Sequence, residues 1–481
     1  MKAILAVLAL LSFNCVLSMS QFSLFLTHRP PLPTGPRRAN SQAYLKNVTQ
    51  KLDHFDSEDT TTFTQFYYEN TEFFNKTKKN VVFLQMGGEN AINENYVLYG
   101  SWTKSAKKYG ALLIQLEHRF YGNSQPFSDL STEHLRYLTS DQALADAANF
   151  IKLINKEYEL ADDVKWIVYG GSYSGSLAAW MRLKHPDLVQ GAVSSSAPLF
   201  AKVDFTEYYQ VVVDDLNYVS EQCVDSLKSA MSQVEEILNN STSNLTVTSL
   251  FNVCEPIEGL ESDDVNVESF YNNIARAFSS IAQVNGMAAT SLNDLCKIMT
   301  NESRGSEIMR LSEVLSLTNG DVNCIQNNYW SNVQYWQYIY AFTGDRQWMF
   351  QQCNEFGWFQ PSAREDKVFG KGSSIDFLVR MCPDVFGAEF NRTYVEDNVD
   401  QTNAKYGGTD IDVTNVVFVH GSFDPFYPLG ITESQNPDIS AIFVEGTSHC
   451  ADTLDTGYQP PQLIAAKQEI DRLVGVWLGV A

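Results

Sequence analysis

A serine set among glycines, an aspartate closing an apolar run and a late histidine are the residues here that could together break an acyl bond. Ser172 stands in Gly170-Gly171-Ser172-Tyr173-Ser174-Gly175, directly after the run Trp166-Ile167-Val168-Tyr169. A serine on a sharp strand-to-helix turn needs small neighbours, because the backbone there is strained. The start of the following helix also favours developing negative charge. In the common form of that turn, G-x-S-x-G, glycine fills the last position. Here Ser174 fills it and Gly175 follows one residue late.

A serine hydroxyl needs a base, and the base needs a third group to orient it. Of the seven histidines, the order Ser…Asp…His selects His449, in Gly446-Thr447-Ser448-His449, with Asp424, in Phe423-Asp424-Pro425, as the acid. His420 precedes Asp424 and reads as the end of a strand. Asp452, the rival acid, reads as a helix cap. Backbone N–H groups for an oxyanion are expected from Tyr173 and from Gly88, in Gly87-Gly88-Glu89. No H-E-x-x-H occurs, so neither metal nor cofactor is expected.

Such residues must be brought to one place. Short, near-continuous apolar runs at Val81–Leu84, Leu112–Ile114, Trp166–Tyr169, Ala192–Val193, Val416–Val419 and Ile442–Val444 read as strands buried on both faces of a parallel sheet. Polar groups gather just after them, where sites form in open α/β sheets. Helical patterns lie between. Thr139 and Gln142 have capping-box spacing, and Leu144, Ala147, Ala148 and Ile151 then share one face. A second helix runs from about Ser174 to His185, ended by Pro186. From Val203 to about Gly372 the pattern turns polar, helical and cysteine-bearing, so a helical domain is expected inside the α/β domain. The organisation reads as a signal peptide over 1–18, an α/β part over 40–202, an inserted cap over 203–375 and a second α/β part over 376–481. Residues 29–38, proline-rich, read as an extended arm.

The net charge of −23 disfavours nucleic acid. Met1-Lys2 followed by an apolar run ending near Ser18 reads as a cleaved signal, too short to span a bilayer, so no membrane partner is expected. Leu463–Val480 reads as an amphipathic helix. Seven cysteines remain beyond Cys15, six of them between 223 and 382, without C-x-x-C spacing. This usage suits an oxidising compartment and leaves the pairing open. Sequons at Asn47, Asn75, Asn239, Asn240, Asn244, Asn301 and Asn391 point the same way.

These residues resemble the prolylcarboxypeptidase, dipeptidyl peptidase II and thymus-specific serine protease family. The resemblance rests on Gln50–Phe55, Glu117–Gly122, Tyr137–Asp146, Gly170–Gly175 and Phe423-Asp424-Pro425. It implies an α/β-hydrolase fold with a disulfide-containing helical cap, and a triad of Ser172, Asp424 and His449. It also implies the pairs Cys223–Cys296, Cys254–Cys324 and Cys353–Cys382, leaving Cys450 as a small buried hydrophobe. The match leans to the thymus-specific branch through Ser176–Trp180 and Gly446–Cys450. Ser176 and Phe426 depart from the proline-specific members and, with Glu89, are the expected substrate contacts. Arg119 is expected to pair with a neighbouring carboxylate. The reading is a secreted or lysosomal serine exopeptidase acting on peptides, as dipeptidyl peptidase or Pro-X carboxypeptidase, with a second copy of the chain as the other partner. A secreted esterase or lipase and a catalytically silent binding protein are the alternatives.

Overall fold

The computed structural model describes residues 31–35, 42–239, 246–261, 264–320, 322–340, 342–455, 457 and 459–480. The signal segment, Asn240 and Asn244 lie outside the described residues, as does all of the arm but 31–35.

Eight strands form one sheet: β1 (Tyr44–Lys51), β2 (Thr62–Asn70), β3 (Val81–Met86), β4 (Leu112–Leu116), β5 (Lys165–Gly171), β6 (Gly191–Ser195), β9 (Val416–Gly421) and β10 (Ile439–Val444). Their spatial order is β1-β2-β4-β3-β5-β6-β9-β10. β1 pairs antiparallel with β2, and β2 antiparallel with β4; every later neighbour is parallel. The six expected runs are the six parallel strands. β1 and β2 add an antiparallel edge that the apolar runs did not announce. This is the α/β-hydrolase fold.

The helices that matter for the site are α1 (Ser140–Glu157) and α2 (Tyr173–Lys184). Thr139 caps α1, accepting from the N–H of Gln142. The reciprocal half of the expected capping box is not formed. The Gln142 amide instead binds Asp53 Oδ1 and the N–H of His54, because the incoming loop offers it stronger partners. The late amphipathic stretch is α12 (Pro461–Leu478). Its Trp477 lies on β6 where Gly191 has no side chain; a Cβ there would meet the indole at 2.4 Å.

The insertion leaves the sheet after β6 and comprises α3 (Glu207–Val219), α4 (Glu221–Asn239), α5 (Val265–Gln283), α6 (Leu292–Met299), α7 (Glu307–Asn319), α8 (Tyr329–Gln337) and α9 (Asp345–Gln351). Two short strands, β7 (Lys202–Asp204) and β8 (Gly357–Phe359), pair at its mouth and close it like a clasp. Next come α10 (Ile375–Phe386) and α11 (Arg392–Tyr406). The sequence assigns these two to the second α/β part, yet their buried Phe377, Leu378 and Val395 share a core with Trp336, Met349 and Phe350 of α8 and α9.

Disulfides join Cys223–Cys296, Cys254–Cys324 and Cys353–Cys382, as the resemblance implies, and Cys450 is free and buried. The bonds close loops of 73, 70 and 29 residues, each of the kind that stabilises by about 2–4 kcal/mol. The third ties α10 to the turn after α9, across the expected domain boundary at 375.

Among the described residues no helix is long and apolar enough to cross a membrane. Asn47, Asn75, Asn239, Asn301 and Asn391 are all exposed.

Candidate active site

The turn after β5 is built as its residue types demand. Ser172 has φ 61° and ψ −134°, a strained conformation for a side-chain-bearing residue. Its N–H donates to the Ser195 carbonyl of β6 at 2.9 Å, which holds the strain in place. A Cβ at Gly170 would meet the Ser174 carbonyl oxygen at 1.9 Å, and one at Gly175 would meet the Ser195 carbonyl oxygen at 2.7 Å. The glycine needed for close packing on β6 is therefore Gly175. Position 174 tolerates a side chain and uses it: Ser174 Oγ accepts from the Gly171 N–H at 3.0 Å and donates to the Gly171 carbonyl at 2.8 Å.

Asp424 follows β9 and is fully buried. Its Oδ1 accepts from His449 Nδ1 at 2.7 Å and from the Phe426 N–H at 3.0 Å. Burial pushes the Asp424 carboxyl up, but the His449 charge, its hydrogen bond and the neighbouring His420 outweigh it and hold it well below the usual carboxylate range. Burial likewise opposes the His449 imidazolium, and the Asp424 carboxylate overcomes that and raises His449 well above its ordinary value. The other ring nitrogen, Nε2, makes no hydrogen bond among the described residues. It lies on a cavity that Ser172 also lines, without a direct bond between the two. Contacts of this kind often tighten only when substrate arrives.

Two spaces meet at Ser172. One is bounded by Gly87, Gly88, Gln283 and His449. The other is walled by Tyr173, Trp348, Trp358 and Phe426 and reaches Arg276. Glu89 borders both. Phe426 also packs its ring against His449, centroids 5.1 Å apart. Ser176 is not brought to either space. It is fully buried in α2 and its Oγ donates to the Pro198 carbonyl at 2.8 Å. The expectation that it contacts substrate is corrected on that ground: it lies behind the wall, with its hydroxyl spent on the backbone of Pro198, which does line the aromatic cavity.

Tyr173 fixes the cap to the sheet domain. Its hydroxyl meets His118 Nε2 at 3.0 Å and accepts from Gln351 at 2.9 Å. Tyr173 is also the first residue of α2, where backbone N–H groups lack an intrahelical acceptor.

Three of the segments that carried the resemblance, Gln50–Phe55, Glu117–Gly122 and Tyr137–Asp146, meet in one network. Arg119 donates to both oxygens of Asp146 at 2.7 Å, and His54 Nε2 meets Asp146 Oδ1 at 2.7 Å. Arg119 thus pairs with a carboxylate as expected. Glu117 holds the neighbouring loop by accepting from Asn123, from Ser124 and from the N–H of Ile92.

Asp452 neither bonds His449 nor caps a helix. Its Oδ2 accepts from Ser195 Oγ at 2.5 Å across the sheet end. Cys450 fills the space Gly171 leaves, where a Cβ would stand 2.9 Å from its Sγ. Two residues near the site were given no part in it by the sequence, although His420 was rightly read as the end of a strand. His420 is buried on β9 with Nδ1 3.8 Å from Asp424 Oδ2. Its position four before the acid, across a strand end, was the available signal. Arg276 interrupts the apolar face of α5, between Ile274, Ala275, Ala277 and Phe278. A charge in so apolar a stretch was the signal there.

Residues 50–470 match the family described as serine carboxypeptidase S28. The Caenorhabditis elegans protein K12H4.7, described as a serine protease, is 33% identical over 473 residues, 93% of this chain and 91% of its own. The thymus-specific serine protease of Mus musculus is 32% identical over 462 residues, 92% of this chain and 89% of its own. The lysosomal Pro-X carboxypeptidase of Homo sapiens is 26% identical over 471 residues, 93% of this chain and 91% of its own.

Proposed function

The chain belongs to the serine carboxypeptidase S28 family and is a serine-type peptidase, and on that premise we propose that it is a secreted or lysosomal exopeptidase working through an acyl-enzyme. The observation that carries this reading is the buried Asp424–His449 pair, whose free Nε2 shares a cavity with Ser172.

In the proposed cycle His449 Nε2 takes the Ser172 proton as Oγ attacks the scissile carbonyl. The C–N bond then breaks, and the same proton passes to the leaving amine. A water molecule, deprotonated by His449, releases the acid product and restores Ser172. Asp424 holds the imidazole tautomer and stabilises the imidazolium. The N–H groups of Tyr173 and Gly88 receive the oxyanion. Glu89, beside Ser172, offers a carboxylate to a substrate's free ammonium. The disulfides, the exposed sequons and the lysosomal relatives support passage through the secretory route.

The test uses the folded chain with a serine-directed phosphonate and a peptide set whose termini are blocked in turn. The phosphonate should label Ser172, and Ser172→Ala should lower kcat by about 10⁴-fold or more. Blocking one terminus should abolish cleavage and name the exopeptidase class. Turnover of short esters with no peptide cleaved, or undiminished activity in Ser172→Ala, would sink the reading.

A further inference from the structure

The loop that carries His449 is held from two sides. On the sheet side the Phe423 N–H donates to the Thr447 carbonyl at 2.9 Å. The N–H groups of Gly446 and Cys450 donate to Ser422 Oγ and Ser196 Oγ, both at 2.8 Å. The cap holds the two residues in between. The N–H of His449 itself donates to the Gln283 carbonyl at 3.1 Å, and Ser448 Oγ donates to the Asn285 carbonyl at 2.8 Å.

Both acceptors belong to the end of α5. A helix leaves its last carbonyls without intrahelical partners. Here the following turn closes two of them, since the N–H groups of Val284 and Asn285 donate to the carbonyls of Ile281 and Ala282, each at 3.2 Å. The Gln283 carbonyl is left over, and the His449 loop takes it. The Asn285 carbonyl sits in a turn that its own side chain fixes: Asn285 Oδ1 accepts from the Leu292 N–H at 3.0 Å, at the start of α6. Ser448 is buried, so its hydroxyl has little water to turn to and the contact is favoured over an unmade one. The helix end also carries partial negative charge, the sign that an imidazolium favours.

The same helix borders both spaces that meet at Ser172. Asn272 and Arg276 line the aromatic one. Gln283, roughly 10 Å further along the axis, lines the one that Ser172 and His449 share. One helix of the cap therefore runs over the cleft and ends on the base. His449 Nε2 makes no hydrogen bond among the described residues, and proton transfer needs it within hydrogen-bond reach of Ser172. A small shift of its loop decides whether it gets there.

We propose that Ser448 is a positioning residue: with the His449 N–H it fastens the base to the cap through the end of α5, so that the seating of the cap over the cleft sets Nε2 against Ser172. This rests on the peptidase reading above and goes further by giving the cap a part in the chemical step.

The test compares variants on the two sides of the contact, with peptide substrates and the phosphonate. Ser448 borders neither space, so Ser448→Ala should lower kcat by at least about tenfold while KM stays within about twofold. Labelling of Ser172 should slow in parallel, because it needs the same base. Ser448→Thr keeps the hydroxyl and should recover most of kcat. Asn285→Ala loosens the acceptor from the cap side and should show the same split. The double variant should lose little more than either single one, because both act on one contact. If Ser448→Ala does not fold, Asn285→Ala is read in its place. Unchanged kcat in a folded Ser448→Ala enzyme overturns the proposal, as does a KM that rises by as much as kcat falls, or full additivity in the double variant. When Ser172→Ala is inert and Ser448→Ala is not impaired, this inference fails alone. Should the unaltered enzyme cleave no peptide, it is the peptidase reading that fails, and this inference falls with it.

Discussion

His420 stands with Nδ1 3.8 Å from Asp424 Oδ2, the oxygen that His449 does not use. The carboxylate therefore lies between two buried imidazoles, bonded to one and facing the other. At 3.8 Å the second contact is too long for a hydrogen bond, so its effect is on where the carboxylate rests. Space around His420 is tight, because a Cβ at Gly430 would meet its Nε2 at 2.1 Å. His420→Leu is expected to lower kcat by about tenfold, as loss of an orienting neighbour does, with KM nearly constant. His420→Asn, which keeps a polar group, should recover part of that. Steady-state kinetics with melting curves on each variant check it. Unchanged kcat in a folded His420→Leu enzyme would remove His420 from any positioning role.

In the proposed cycle His449 must be neutral to accept the Ser172 proton. Its proton affinity is raised, since the Asp424 carboxylate outweighs burial. The rate should thus rise with pH, with the half-maximum of kcat/KM above the ordinary imidazole value of about 6.5. Asp424→Asn removes the raising charge, so the limb should move to lower pH while kcat falls by about 10⁴-fold. A pH–rate profile of both forms reads this directly. A limb that stays in place in Asp424→Asn would mean that another group sets it.

Stability should run the other way. Glu355 is buried beside Ser140, and burial outweighs the Ser140 hydrogen bonds and lifts its carboxyl to about 7. Asp215, buried near Asp214 and Asp424, is lifted to about 9. A carboxyl raised on folding binds its proton more tightly in the native state, so stability is greatest below the unfolded value and is lost as pH rises through the folded one. For Glu355 that window runs from about 4.5 to about 7 and corresponds to roughly 3 kcal/mol. Melting temperatures at constant ionic strength should fall from pH 5 to pH 8, and Glu355→Gln should flatten the slope. A melting temperature that climbs over this range would contradict the assignment.

The centre of the sheet was legible because its strands are buried on both faces and read as unbroken apolar runs. β1 and β2 were not, since their exposed and buried residues alternate along an antiparallel edge. Ser172, Asp424 and His449 could be singled out because turn chemistry and chain order constrain them. Asp452 could not be placed, because its partner Ser195 is 257 residues away and no local spacing encodes that contact. Ser176 shows the opposite limit. Within the first turn of α2 some residues border the cleft and others are buried behind it, and a helix start known only from sequence does not resolve which.

The insertion between β6 and β9 also sets an order in time. Ser172 leaves the ribosome early, while Asp424 and His449 are joined to it only after the whole cap has been made. At about 5–20 residues per second that delay is tens of seconds. During it Ser172 has neither Asp424 nor His449 to meet. On the proposed mechanism a chain that ends before the cap is complete lacks both partners of Ser172, so hydrolytic power arrives only with the last part of the backbone.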